Sequence, residues 1–412
     1  MEGGGLEVVT CEGVRWETDR ALADVLHREL FVRIGELGEM AEAERFKKTV
    51  RRTLYRVRLS DGRTVLLKVF RAKSRWDRLV RAVLPSRARH EWMASRRLAT
   101  MGIPASRAVA IGRPASWGWA VMAYLAIDLE PDVLSLGEHL RGLDDTAEQQ
   151  GVIGEVARFV RRVHDAGVRQ DDLHTGNILV RQAAAADGER LVLIDLQRVH
   201  FGGPPAPRHR ARAIAQLLNG LDIGVPRGEV VDLFLAVYHG EEPLFANPYL
   251  TPGHIECEMD RLAAIRLRSR AKRCLVNSSR FAVETVGGVR LYHRRDWPAA
   301  DLLALVDELC ATVAAEAAET GGPATLRAAV ERQEGAAALE LIWYPAAGPL
   351  ARLLPRPLAS PGVQRYAEAH RRRVAEGTGP QPIAGIVWLR GARRGSSLAV
   401  LTAPRGRRGE SA

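Results

Sequence analysis

Between residues 170 and 195 the chain carries Asp172-Leu-His-Thr-Gly-Asn177, a short apolar run, a polar connection, and a second apolar run that ends on Asp195. A stretch with helical spacing, residues 152–165, precedes this block and stops at Gly167. Two short strands joined by a loop can bury their apolar faces only by pairing. Pairing returns the end of the second strand to the loop that opens the first. Asp172 and Asn177 then share one turn, five residues apart, with Asp195 beside them. The chain has four Asn, and only Asn177 follows an Asp at that spacing. Two carboxylates and an amide in this layout suit phosphoryl transfer. One carboxylate orients an attacking hydroxyl and accepts its proton; the other, with the amide oxygen, holds Mg²⁺ against nucleotide phosphates.

Composition sharpens a second signal. Sixty basic residues face 49 acidic ones, a net charge of +11, yet only Lys47, Lys48, Lys68, Lys73 and Lys272 are lysines. Lys68 interrupts the apolar strand predicted over residues 64–70. An ammonium there is either a lysine snorkelling from an edge strand or a group paired with a carboxylate and facing a ligand. Glu91, on the helix expected over residues 86–101, is a well-placed partner. The Arg-for-Lys bias and the Asp172 set favour the second reading, in which the pair holds the lysine toward α- and β-phosphates.

The 46% apolar and 26% charged content is that of a globular chain and excludes a disordered or collagen-like one. Four widely spaced cysteines (Cys11, Cys257, Cys274, Cys310) argue against a disulfide framework or a zinc site. The acidic N-terminus lacks the apolar core of a signal peptide, and no run is long enough to span a membrane. Residues 46–70 have strand spacing around an Asp61-Gly62 hairpin turn. Two further strands are expected over 108–112 and 119–124, and residues 208–240 read as helical with a break at 220–224. A boundary is expected near residues 247–253. Beyond it, residues 271–297 and 348–390 echo the strand pair, Leu-Pro turn, helix and strand of the opening, as an internal duplication would. The region from residue 255 on holds 24 basic and 16 acidic residues.

Lys68, Glu91, Asp172, Asn177 and Asp195 occur in the order and context of the protein-kinase-like fold. Within that superfamily, the run from Asp172 to Val180 resembles the bacterial lipopolysaccharide kinase family, which phosphorylates Kdo or heptose of the lipopolysaccharide inner core. RRTLYRV before the lysine strand, SRARHEW, GIP and IDLQRV are similar to it as well. The resemblance covers residues 40–245. It implies an α+β, bilobal fold: an N-terminal extension (1–45), a small mixed-sheet lobe (46–130) and a mainly helical lobe (131–250). A degenerate small-lobe-like region (251–403) and a disordered tail (404–412) would follow.

The resemblance also implies Asp172 as catalytic base, Asn177 and Asp195 on Mg²⁺, Lys68 and Glu91 on the phosphates of ATP, and the backbone at Ala123 and Leu125 facing adenine. The implied partner is an anionic glycolipid, met by a cytoplasmic enzyme in peripheral contact with the inner membrane. No nucleic acid is expected: aromatic residues are 6% of the chain and form no cluster among the basic ones.

Two departures stand out. KKTVRRTL occupies the place of a glycine-rich loop, leaving residues 49–53 to cover the phosphates with Arg and Thr side chains. Gln170 stands where many kinases have His, which alters the support of the catalytic loop. Asp171 reads as a solvated neighbour of Asp172, His174 as either a phosphate contact or a loop-packing residue, and His164 as a helix-end cap. Arg198 either orients the segment after Asp195 or meets an acidic substrate. Tyr292 falls near the position of Lys68 in the echo, and no Asp–Asn pair follows it, so the second half cannot transfer phosphate alone. Its six Arg from Arg390 to Arg408 form a solvated face or dock on an anionic surface. A protein kinase, another small-molecule kinase and a pseudokinase scaffold share the named residues.

Overall fold

The strand-like alternation at the start of the chain folds into a seven-stranded antiparallel sheet in the computed structural model. The described residues are 5–48, 52–72, 86–114, 122–183, 188–240, 247–320, 323–330, 337–346, 357–377, 381–390 and 393–402. They fall into two units, Met1–Leu262 and Ala263–Ala412.

The first unit opens with β1 (Leu6–Cys11) and β2 (Val14–Asp19), then short helical turns over residues 20–36. The sheet continues with β3 (Ala43–Lys48), β4 (Arg52–Arg58) and β5 (Thr64–Arg71). Helix α1 (Arg87–Thr100) leads to β6 (Arg107–Pro114) and β7 (Met122–Asp128), and the strand order is β1-β2-β6-β7-β5-β4-β3. The β4–β5 turn forms at Asp61-Gly62, with Gly62 at φ +86, a conformation glycine adopts without strain. Strands β1 and β2, within the expected N-terminal extension, are therefore part of the sheet through the pairing of β2 with β6.

Each face of this sheet is covered. On one, fully buried Trp16 stacks on Phe31 at 4.1 Å, so the helical turns after β2 close over Val57, Leu67 and Tyr124. On the other, Ala88 and Trp92 of α1 pack on Phe70, Ala123 and Leu125. Each large side chain so buried contributes about 1.5–3 kcal/mol. Ser86 caps α1 by accepting from the Arg89 N–H at 3.1 Å, and Gly102 ends it at φ +66.

The larger, mainly helical part contains β8 (Val133–Ser135), α2 (Leu136–Arg141) and α3 (Thr146–Asp165). Then come β9 (Val168–Gln170), β10 (Ile178–Arg181), β11 (Leu191–Leu193) and β12 (Val199–Phe201). Helices α4 (Pro207–Leu218) and α5 (Arg227–His239) complete it, with α6 (Pro252–Ala271) as far as Leu262. Strand β10 pairs with β11 and β8, and β9 pairs with β12. The apolar stripes of α3, α4 and α5 meet around Phe159, Leu217 and Phe234.

The second unit builds a six-stranded antiparallel sheet from β13 (Phe281–Val286), β14 (Val289–Arg294), β15 (Ala324–Val330), β16 (Ala337–Tyr344), β17 (Pro382–Trp388) and β18 (Ser397–Thr402). Helix α7 (Ala299–Thr320) follows β14, and α8 (Pro361–Glu376) precedes β17. The order strand, strand, helix, strand, strand recurs from the first unit, with α7, β15 and β16 interposed. The neighbours differ: β14 pairs with the first strand after the helix, whereas β5 pairs with the second. Among the described residues no helix is long and apolar enough to cross a membrane.

Candidate active site

Lys68 and Glu91 meet. The ammonium on β5 donates to Glu91 Oε1 at 2.5 Å, with Lys68 6% and Glu91 1% exposed. A buried ammonium is tolerable only with such a partner, so the lysine is no edge-strand snorkeller: β5 is flanked by β4 and β7. The other carboxylate oxygen of Glu91 accepts from Gln197 Nε2 at 3.3 Å. That bond reaches from α1 into the helical lobe, two residues beyond Asp195.

The helical lobe presents the remaining groups as the sequence spacing requires. Strand β10 starts directly after Asn177, and β11 runs antiparallel to it and ends two residues before Asp195. The Asn177 side chain donates from Nδ2 to the Asp172 carbonyl at 2.8 Å, which turns its oxygen away from that bond as an acceptor. The Ile194 N–H donates to the Asn177 carbonyl at 2.9 Å and fixes the spacing to Asp195. Asp195 itself is left-handed (φ 53, ψ 61), a strained conformation for a residue with a side chain. Its Oδ1 is buried with no hydrogen-bond partner.

Gln170, read from sequence as a departure, turns out to link the two loops. It is 2% exposed; Nε2 donates to the Asp195 carbonyl at 3.1 Å, and Oε1 accepts from the Asp172 N–H at 3.4 Å. An amide can do both because it carries a donor and an acceptor. Sequence reasoning missed Gln216 altogether. From α4, its Nε2 donates to Asp172 Oδ1 at 2.9 Å and sets the carboxylate plane. Arg198 lies 3.9 Å from Asp172 Oδ2, its side chain 66% exposed.

Asp171 points elsewhere, to Arg169 at 2.9 Å and His200 at 3.0 Å. His174 accepts from the Gly176 N–H at 3.1 Å, a local loop contact. His164, read from sequence as a helix-end cap, is buried. Burial, then the Arg210 charge, pushes it down to about 3, so it is neutral, and its Nδ1 lies 2.8 Å from the Tyr238 hydroxyl.

Two placements differ from expectation. Ala123 and Leu125 lie inside β7, which pairs with β5 on one side and β6 on the other. Leu125 pairs with both Lys68 and Ile111, so its backbone groups are committed to the ladder, whereas Ala123 pairs with Phe70 alone. Their side chains share the Lys68 face, Leu125 directly opposite Lys68. The chain leaves the sheet only after Asp128. Thr53 is 1% exposed and its hydroxyl accepts from Arg71 Nη1 at 2.7 Å, so it packs in the sheet instead of covering phosphates. Residues 49–51, and also residues 119–121 of the strand expected over 119–124, lie outside the described residues.

The two lobes of the first unit are held together near these groups. Ser106 and Leu193 bond at 2.8 Å, Leu193 and Pro104 at 3.0 Å, and His90 Nε2 lies 2.8 Å from the Val199 carbonyl. Glu130, in the connection after β7, takes Arg181 of β10 in a two-bond fork at 2.6 Å each. A continuous series of contacts thus runs from Lys68 through Glu91 and Gln197 to the Asp195 turn, and through Gln170 to Asp172 and Asn177.

The donor set fits Mg²⁺. Asn177 Oδ1 and the unsatisfied Asp195 Oδ1 would offer it hard oxygen ligands, and this ion commonly takes only one or two protein oxygens when substrate phosphates supply others. Phosphoryl transfer asks a protein for positioning and charge more than for covalent chemistry, and a sheet lobe and a helical lobe joined in this way provide both. The chain is a kinase with the bilobal α+β, protein-kinase-like fold.

Residues 41–238 match the model of the Lipopolysaccharide kinase (Kdo/WaaP) family. The chain is 31% identical over 191 residues to the lipopolysaccharide core heptose(I) kinase WaaP of Pseudomonas aeruginosa, a match spanning 43% of this chain and 70% of that protein. It belongs to the lipopolysaccharide kinase (Kdo/WaaP) family. Among solved structures it is similar to WaaP in complex with acyl carrier protein, at TM-score 0.44 and 22% identity over 63% of this chain and 98% of that one. It is also similar to the Rio2 kinase of Chaetomium thermophilum in its ADP/Mg²⁺-phosphoaspartate complex, at TM-score 0.34 and 14% identity over 60% and 77%.

Proposed function

We propose that the chain transfers the γ-phosphate of ATP to a hydroxyl of an inner-core lipopolysaccharide sugar, Kdo or heptose. The observation that carries this reading is the unbroken series of contacts from Lys68 to Asp172 in a member of this family.

Asp172 orients the sugar hydroxyl and takes its proton at Oδ2, the oxygen that Gln216 leaves open. Lys68, held by Glu91, binds the α- and β-phosphates. Asn177 and Asp195 would hold Mg²⁺, which when bound would supply charge neutralisation at the phosphates. Adenine meets the chain at residues 129–132, the first backbone beyond β7. The acceptor is part of a glycolipid, so the enzyme works at the cytoplasmic face of the inner membrane.

The acceptor is tested with Mg-ATP and two dephosphorylated core oligosaccharides, one ending in Kdo and one extended by heptose. Mass spectrometry of the product locates the new phosphate. A phosphate on either sugar supports the reading and chooses between them. Phosphate on a protein substrate alone would keep the kinase and discard the sugar.

A further inference from the structure

Helix α4 begins in a way that disfavours its own stability. A helix N-terminus carries partial positive charge and is stabilised by acidic residues. The first turn of α4 has none and holds Arg208 and His209 instead, with Arg210 and Arg212 following. Arg210 has local partners: the Pro205 carbonyl and Asp165, both at 3.0 Å, and the Tyr238 hydroxyl at 3.2 Å. Arg208 and Arg212 are exposed, and among the described residues neither forms an ion pair with a carboxylate.

Their position relative to Asp172 follows from helix geometry. Residues 209, 212 and 216 fall on one face of a 3.6-residue helix. Gln216 on that face touches Asp172, so Arg212 lies about one turn, roughly 6 Å, along the axis from the catalytic-loop contact. Arg198 stands against the other carboxylate oxygen. Arg169, opposite His200 in the β9–β12 pair, adds a further cation.

The crowding is felt by His209. Its imidazole is held below the usual value by burial first and then by Arg169, Arg208 and Arg212, with Asp171 opposing. Asp171, the carboxylate that opposes these cations at His209, is already engaged by Arg169 and His200.

We propose that Arg208 and Arg212, with the α4 N-terminus, form a subsite for a fixed oxyanion on the acceptor, held beside the hydroxyl that Asp172 receives. It rests on the sugar-kinase reading and names what that site selects: acceptors bearing a carboxylate or phosphate near the reacting hydroxyl. Arginine pairs with either group through two parallel hydrogen bonds.

The test is titration calorimetry on the full chain with Mg²⁺ and a non-hydrolysable ATP analogue present. Wild type and the Arg208→Gln/Arg212→Gln double variant are compared on three ligands. These are a core oligosaccharide with carboxylates and phosphates intact, the same with phosphates removed, and the same with carboxylates reduced. Phosphate transfer to the intact ligand is measured alongside. The double variant is expected to bind the intact ligand about a hundredfold more weakly, roughly tenfold per arginine, and the nucleotide analogue unchanged. Whichever deletion on the ligand abolishes the difference between the two proteins identifies the anion as phosphate or carboxylate. Equal binding of the intact ligand by both proteins would overturn the subsite. Charge-dependent binding without transfer by wild type would overturn the sugar-kinase reading and leave the subsite; transfer with charge-independent binding would do the reverse. If wild type neither binds nor transfers, both fall.

Discussion

Gln170 spans the gap between the two acidic loops, and its amide nitrogen lies 3.1 Å from the carbonyl oxygen of Asp195. Its own oxygen receives the Asp172 N–H. One buried side chain therefore sets the distance between the Asp172 and Asp195 turns, which the proposed reading assigns to the acceptor hydroxyl and the metal. Partners of this kind are worth about 10–100-fold in activity or metal affinity. Gln170→Ala should lower kcat by that factor and raise the Mg²⁺ requirement while leaving the fold intact. Gln170→His, with one ring donor and one ring acceptor, should recover most of the loss. Wild-type kcat in Gln170→Ala, measured across a Mg²⁺ titration, would contradict the bridging role.

Lys68 and Glu91 carry a stability prediction as well as a kinetic one. Removing one partner of a buried ion pair leaves the other uncompensated and costs about 3–5 kcal/mol. Glu91→Ala should show that loss in urea unfolding and a raised KM for ATP. Replacing both at once, Lys68→Met with Glu91→Leu, should restore much of the stability but not the activity. Urea midpoints and ATP kinetics on the three proteins separate the two roles.

Gly167 sits at φ +76, and a Cβ built there would lie 2.1 Å from the Gly202 carbonyl oxygen. Its backbone also accepts from the Gly202 N–H at 3.0 Å. Gly167→Ala therefore adds left-handed strain and a clash with backbone, together roughly 2–5 kcal/mol. The expected result is a large fall in melting temperature; an unchanged one would contradict the tight crossing of the α3–β9 turn with the chain after β12.

The buried His164 gives stability a pH dependence of known sign. His164 Nδ1 lies 2.8 Å from the Tyr238 hydroxyl, which also accepts from Arg210 Nη1 at 3.2 Å, and the ring is buried in its neutral form. The folded value is about 3 against 6.5 for an unperturbed histidine. Between those limits the unfolded chain holds the extra proton, so stability is full above pH 6.5 and falls as pH drops toward 3. The total is on the order of 5 kcal/mol. His164→Gln, which keeps an acceptor without titrating, should flatten the pH profile of the urea midpoint over that range. An equal slope in both proteins would contradict a buried neutral His164.

What the sequence made legible was the local part of the site. Asp172, Asn177 and Asp195 are brought together by a loop and two short strands adjacent in sequence, so spacing alone located them. Lys68 was legible because an ammonium in an apolar strand has few tolerable explanations. Gln216 left no such trace: it is a neutral residue 44 positions from Asp172, and only the packing of α4 brings them together. Gln170 was visible as a substitution but not as a bridge, because both its bonds go to backbone atoms, one of them 25 residues away. The β1–β2 hairpin joins the sheet by pairing β2 with β6, a long-range contact that periodicity does not encode. The same limit hid the double pairing of Leu125, one of the residues expected at adenine. Strand spacing found β7, but not that it is flanked on both sides.

The most direct measurement is transfer of labelled phosphate from Mg-ATP to purified lipopolysaccharide core acceptor, with wild type and Asp172→Ala side by side and a general protein substrate as control. The account predicts label on the glycolipid with wild type and a loss of at least about 100-fold with Asp172→Ala. Equal transfer by both proteins, or label on the protein substrate alone, would contradict it.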